Sequence, residues 1–180
     1  MESVALFGGS FDPPHIGHVA LVNSLQKLKF IDKTIVMPTF LNPFKTLSHA
    51  SPEQRIRWLR DIFLSYKNVI IDDFEIKQKR KVPSIESVKH LLKMYQKVYL
   101  VIGADNLADL SKWKDYEKLS HLVTFIVATR DSITIPKNFF ILEVDEKISS
   151  SQLREKMDGT MLPACSANEI IKYYKEKNAK

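Results

Sequence analysis

An apolar run from Val4 to Phe7 breaks at Gly8-Gly9, passes through Ser10-Phe11-Asp12-Pro13-Pro14, and gives way to a helix-forming segment that opens on His15-Ile16-Gly17-His18. A strand that turns through glycines into a helix commits the chain to an α/β unit, and such a turn is suited to holding phosphate. Glycine lets backbone N–H groups approach an anion with no Cβ in the way. The new helix points its first N–H groups and its positive dipole end at the same place. His15 and His18 stand three apart, so both rings lie on one face of the first turn and can aim N–H groups at a bound anion.

The rest of the chain alternates in the same manner. Short apolar runs predict strands at residues 4–7, 34–37, 69–71, 98–102, 123–128 and 140–144. Helical patterns fall at 15–29, 52–66 and 84–96, in two short pieces within 105–119, after Ser149, and near 168–176. Strands joined by crossover helices imply a doubly wound, mostly parallel α/β sheet covered by helices on both faces. Ser51-Pro52-Glu53-Gln54 supplies an N-cap, a proline at the first helical position and a capping-box partner for the 52–66 helix. Residues 39–50 are polar, broken by Pro43 and long for a simple connection, which suggests a mobile loop over a ligand. No repeat or linker divides the 180 residues, so one domain is expected.

Charge and composition narrow the function classes. A net charge of +6 and a pI near 9.3 favour anionic partners without choosing among nucleotides, nucleic acid and acidic lipid. The densest basic run, Lys77-Gln78-Lys79-Arg80-Lys81, has no interleaved aromatics and reads as solvated surface. Glycines, Asp12 and two prolines interrupt the first fourteen residues, so no signal peptide is expected. The longest apolar stretch, 122–128, falls far short of the roughly 20 residues of a membrane helix. The single cysteine, Cys165, excludes an internal disulfide and fits a cytoplasmic location.

Ligands of open α/β sheets sit beyond the carboxyl ends of the strands where the winding reverses. The strands at 4–7 and 98–102 both end in glycine there, at Gly8 and Gly103, and the second continues Ala104-Asp105-Asn106. Asp105 can either cap the following helix or accept a ribose hydroxyl. Trp113 by itself suits core packing, as does Trp58 in the 52–66 helix, and Glu86 suits the first turn of its own helix. Arg130 lies near the same sheet edge and has no assigned role. The chain has no G-x-G-x-x-G after the first strand, which argues against a dinucleotide redox module, and no G-x-x-x-x-G-K-[ST], which excludes a standard P-loop.

The segment from Gly8 to His18 resembles the ATP-binding signature of the nucleotidyltransferase superfamily with an H-x-G-H motif, a Rossmann-like fold. Ile148-Ser149-Ser150-Ser151-Gln152-Leu153-Arg154 resembles the I-S-x-[ST]-x-x-R segment of the same superfamily. Serine hydroxyls at a helix start, with Arg154 three residues beyond Ser151, repeat the phosphate-directed device. Away from the ATP site, Pro38-Thr39-Phe40-Leu41-Asn42-Pro43-Phe44-Lys45 and Val101-Ile102-Gly103-Ala104-Asp105-Asn106-Leu107 with Trp113 narrow the resemblance to the bacterial nicotinate-nucleotide adenylyltransferases. Phosphopantetheine adenylyltransferases usually carry threonine where His15 stands. One departure is local: the family commonly has Tyr-Thr near residue 84, whereas this chain reads Pro83-Ser84-Ile85.

The resemblance implies adenylyl transfer from ATP to nicotinate mononucleotide, giving nicotinate adenine dinucleotide and pyrophosphate in NAD biosynthesis. It implies ATP contacts from Gly8, Gly9, Ser10, Phe11, His15, His18, Gly103, Asp105, Ser149, Ser151 and Arg154. Substrate contacts would come from the Ser84 and Ile85 amides, the Ser84 hydroxyl, Asp105 and a stacking Trp113. His15, His18, Lys45 and Arg154 would stabilise the reacting phosphates, and Mg²⁺ would be held through ATP phosphate oxygens with no protein ligands. The C-terminal helical part, about 146–180, would complete the ATP phosphate site of the single domain. The expected partners are ATP and nicotinate mononucleotide, with no nucleic acid and no membrane, and self-association stays open. Two other functions compete: adenylyl or cytidylyl transfer to another phosphorylated small molecule such as phosphopantetheine, and a non-enzymatic nucleotide- or nucleic-acid-binding module.

Overall fold

In a computed structural model of the chain, residues 2–129, 133–144 and 148–178 are described. Six strands form one sheet: β1 (Ser3–Gly9), β2 (Lys33–Pro38), β3 (Val69–Ile71), β4 (Lys97–Gly103), β5 (Val123–Ala128) and β6 (Phe140–Leu142). Their order is β3-β2-β1-β4-β5-β6, and every pairing is parallel. The doubly wound parallel sheet expected from the alternation is therefore present. The chain winds outward from β1 through β2 to β3, then crosses back to β4 on the other side of β1. The switch point thus lies between the carboxyl ends of β1 and β4.

The apolar runs are strands because both of their faces are buried. Val4 and Leu6 of β1, with Val98, Leu100 and Ile102 of β4, pack under α4 (Ser84–Leu91) and α5 (Tyr116–Leu122). Ala5, Tyr99 and Val101 face the other way, against α1 (Ile16–Gln26). On that same side α2 (Pro52–Ile62), α6 (Ser150–Glu155) and α7 (Ala167–Asn178) share a second cluster around Val36, Trp58 and Tyr174. Trp58 is fully buried, in agreement with a packing role.

Several boundaries differ from the pattern in the sequence. β1 runs through both glycines to Gly9, because β2 continues alongside to Pro38 and keeps supplying ladder partners. Helices expected at 15–29, 52–66 and 84–96 stop at Gln26, Ile62 and Leu91. After each, tight turns such as Leu28 N–H to the Leu25 carbonyl and Met94 N–H to the Leu91 carbonyl bring the chain back toward the next strand. A four-residue helix, α3 (Phe74–Lys77), occupies what the sequence suggests is a loop. Nine residues after β4, Ala104–Lys112, form a 3-10 helix. The basic run is engaged locally: Lys77 pairs with Asp73 at 2.8 Å, Arg80 with Glu86 at 2.6 Å, and Lys81 Nζ donates to the Pro43 carbonyl.

Candidate active site

The turn between β1 and α1 is shaped around His18. His15 is the N-cap residue of α1, and its backbone N–H donates to His18 Nδ1 at 3.1 Å. A ring nitrogen that accepts this bond carries no proton, so the neutral His18 ring has its N–H at Nε2. The two imidazoles stack with centroids 3.6 Å apart, and the Phe11 ring meets His18 edge-on at 4.8 Å. Phe11 adopts a left-handed backbone (φ 48°), which folds its ring back over the turn and buries it. Its side chain therefore supports His18, and any contact it makes with ATP belongs to the backbone. A Cβ on Gly9 would come within 3.2 Å of the Phe11 ring, whereas Gly8 has ordinary space beside the Met37 carbonyl. Glycine at position 9 is thus needed for packing, and neither residue needs a left-handed φ.

Two buried charged groups hold the turn and the 39–50 loop together. The Asp12 carboxylate accepts N–H bonds from His49 at 2.7 Å and Ala50 at 2.8 Å, and a hydrogen bond from the Tyr174 hydroxyl of α7. Burial pushes its pKa up, but these hydrogen bonds and the Arg154 charge outweigh that and leave it below the usual carboxylate range. The same partners act in reverse on Tyr174, whose pKa is raised by burial and then by the Asp12 charge. Arg55 of α2 is fully buried and donates to four carbonyls, those of Ser10 (2.6 Å), Thr39 (2.9 Å), Phe40 (3.0 Å) and Ala50 (3.2 Å). Both ends of the long loop are thereby fastened to the phosphate turn. The exposed part lies between them, with Phe44 and Leu47 at its surface.

Beside the turn lies a cavity of about 430 Å³ between the ends of β1 and β4. Gly8 and Gly9 form one wall and Gly103 another, while Asn42 and Phe44 come from the long loop. Ser84 and Trp113 line it together, so the two side chains expected to meet a pyridine nucleotide converge on one space. Ile85 is buried in the core and is not among the residues that line this cavity. Trp113 is half-buried and also packs against the core cluster, so the packing and stacking readings hold for different parts of its surface. Asp105 is exposed and sits inside the first turn of the 3-10 helix, where the N-cap position is Gly103. The cap position itself thus falls to Gly103 and not to Asp105. A Cβ on Gly103 would meet the Asp105 carboxylate at 2.4 Å, so glycine is required there for the aspartate to fold back.

The C-terminal elements pack against the β1–α1 turn. Ser149 caps α6 by accepting the Gln152 N–H at 3.2 Å, and Gln152 Oε1 accepts the Ser149 N–H in return. Ser150 Oγ donates to the Pro13 carbonyl at 2.9 Å, and Arg154 donates to the Asp12 carbonyl and to Ser151 Oγ. Lys45 keeps an exposed side chain, yet the protein around its ammonium lowers its pKa, and the nearby Arg154 charge lowers it further. Two cations that disfavour each other's charge suit a shared anion. Arg130 and the ends of the C-terminal part, residues 146, 147, 179 and 180, lie outside the described residues. Among the described residues no group of three His, Cys, Asp or Glu side chains is placed to hold a metal ion.

Residues that the sequence reading passed over include Arg55, Tyr174, Ser150 and Glu75. Arg55 had a signal: it stands in the apolar stripe of α2 with Trp58, Leu59 and Ile62, where a charge must find buried partners. Glu75 had none, since α3 is too short to show a face.

The cytidylyltransferase-like family model matches residues 6–156. A protein of Sulfurimonas denitrificans named probable nicotinate-nucleotide adenylyltransferase is 57% identical over 180 residues, covering 100% of this chain and 99% of that protein. One of Nitratiruptor with the same name is 49% identical, covering 96% and 98%. Among solved structures, the nicotinic acid mononucleotide adenylyltransferase of Plasmodium falciparum complexed with NaAD superposes with a TM-score of 0.80 at 22% identity, covering 97% of this chain and 98% of that one. The last likeness speaks to the fold, the first two to descent, and together with the family model they establish that the chain belongs to the cytidylyltransferase-like nucleotidyltransferases and, within them, to the nicotinate-nucleotide adenylyltransferase family.

Proposed function

We propose that the chain transfers the adenylyl group of ATP to the 5′-phosphate of nicotinate mononucleotide, giving nicotinate adenine dinucleotide and pyrophosphate. The observation that carries this reading is the juxtaposition at the β1/β4 switch point. A histidine-lined phosphate turn shares Gly8 and Gly9 with a cavity that also presents Ser84 and Trp113. One space for the phosphates and one for a ring and its ribose, open to each other, suit the joining of two nucleotides.

A phosphate oxygen of the mononucleotide attacks the α-phosphorus of ATP in line. The bond from that phosphorus to the bridging oxygen breaks, and its electron pair leaves with pyrophosphate. The nucleophile is already anionic near neutral pH, so alignment and neutralisation of charge carry the catalysis. His18 donates from Nε2 to the α-phosphate, a role its Nδ1 acceptor bond prepares. His15, beneath it in the stack, contacts the triphosphate. Lys45 and Arg154 draw together on the departing pyrophosphate, with Ser149 and Ser151 beside them. Gly8, Gly9, Ser10 and Phe11 offer backbone to ATP, and Gly103 and Asp105 lie toward the ribose. The Ser84 and Ile85 amides, at the first two positions of α4, receive the pyridine carboxylate beside Trp113. ATP enters as its Mg²⁺ complex, in which the ion neutralises phosphate charge, and the cationic side chains suit a metal brought by the substrate.

The chain works as one domain whose C-terminal part completes the phosphate site, a reading supported by the bonds of Ser150, Arg154 and Tyr174 to the turn. We read its location as the cytoplasm, where these substrates would be met. The test is pyrophosphate release with ATP, Mg²⁺ and nicotinate mononucleotide, run beside nicotinamide mononucleotide and phosphopantetheine. Turnover of the nicotinate substrate is expected, and His18→Ala should lower kcat by about 10² or more with an unchanged melting profile. Turnover of phosphopantetheine alone would move the assignment to a different acceptor. A folded His18→Ala protein with full kcat would remove His18 from the mechanism.

A further inference from the structure

Glu75 lies in the wall of the same cavity as Ser84 and Trp113, on α3, and is only 6% exposed. Its Oε1 accepts a hydrogen bond from the buried Ser87 hydroxyl at 2.6 Å, and its Oε2 has no hydrogen-bond partner among the described residues. Ser87 is three residues beyond Ser84, so the Glu75 carboxyl sits against the first turn of α4, at the end proposed to receive the pyridine substituent. A buried carboxyl with one oxygen unengaged, beside a site for a second carboxylate, cannot keep its negative charge when that ligand binds.

We propose that Glu75, carrying its proton, admits the acid form of the pyridine ring and, on losing that proton, turns the pocket against an anionic substituent. The inference rests on the adenylyl-transfer reading and names the residue that discriminates between two forms of its substrate. A protonated Glu75 adds no charge beside the site. An ionised Glu75 repels a carboxylate and leaves a neutral carboxamide unopposed. Burial pushes its pKa up to about 7, the Ser87 hydrogen bond opposes this, and the charges of Asp72 and Glu86 add to it. The other charged groups around it are accounted for locally. His90 of α4 pairs with Asp72 at 3.4 Å, Arg80 pairs with Glu86, and Lys112 and Lys114 line the cavity from the segment after β4.

The experiment measures kcat/KM for nicotinate and nicotinamide mononucleotides from about pH 6.5 to about pH 8.5. The two share a phosphate, a ribose and a ring, so their ratio cancels every titration except those that sense the substituent. In the wild type the ratio of acid to amide should fall about twentyfold over that range, following the protonated fraction of a group titrating near 7. Glu75→Gln should hold the ratio flat near its low-pH value, because an amide never ionises. His90→Gln should keep the slope. A flat ratio in the wild type, a slope that survives in Glu75→Gln, or a slope lost in His90→Gln would each overturn the inference while leaving adenylyl transfer in place. If neither pyridine nucleotide were turned over, the reaction itself would fall, and this inference with it.

Discussion

Arg55 illustrates how much of this site depends on single residues that never meet the substrate. Its guanidinium is fully buried and binds four carbonyls drawn from the β1–α1 turn and both ends of the 39–50 loop. Burial lowers its pKa and the Asp12 charge opposes that. Truncation would leave four carbonyl acceptors without their donor. Arg55→Met should therefore cost about 3–5 kcal/mol in a denaturant titration. Arg55→Lys should recover little of it, because an ammonium cannot reproduce the planar fork. Stability of either variant within about 1 kcal/mol of the wild type would mean the carbonyls find other donors.

At the scale of elements, α6 is the informative case. Six residues are too few for a helix to persist on its own, and most of its stability must come from its cap and its docking. The cap is the reciprocal pair of Ser149 and Gln152, and the docking uses Leu153 in the core, Ser150 on Pro13 and Arg154 on Asp12. Ser149→Ala should cost about 1 kcal/mol and fray the turn that carries Arg154. The expected reading is a several-fold rise in KM for ATP with kcat changed less, and an unaltered KM would show that docking alone holds the element. By contrast α2 opens on a cap as well, Ser51 accepting the Gln54 N–H at 3.1 Å, but the Gln54 amide oxygen accepts from Trp58 Nε1 at 2.9 Å and leaves the expected box half formed. A donor one turn further along the helix took the side chain that local pattern had assigned to the helix end.

Over the whole molecule, Asp12 is where the two ends of the chain meet. The Tyr174 hydroxyl reaches it from 162 residues away, Trp58 stacks on the Tyr174 ring, and Lys177 donates to the His49 carbonyl next to the same anchor. Tyr174→Phe should lose about 1–2 kcal/mol at neutral pH. Asp12 has a folded pKa below its ordinary 3.8, so its stabilising contribution is present above that value and disappears as pH falls through the folded pKa. The gap between wild type and Tyr174→Phe should accordingly narrow in acid, as followed by thermal melts over a pH series, and a gap of constant width would detach Tyr174 from Asp12 ionisation. Sequence patterns alone were sufficient for the sheet and the glycine-histidine turn, while the convergence of Ser84 with Trp113 was expected only from the family resemblance. The first two follow from contiguous patterns: apolar runs that need burial on both faces, and glycines and histidines within one turn. Tertiary structure alone decided that Phe11 supports His18, that Arg55 and Asp12 bind the loop, and that Glu75 borders the cavity of Ser84 and Trp113. Those residues act through partners distant in the chain, and a buried polar group is understood only once the groups that satisfy it, or fail to, are in place.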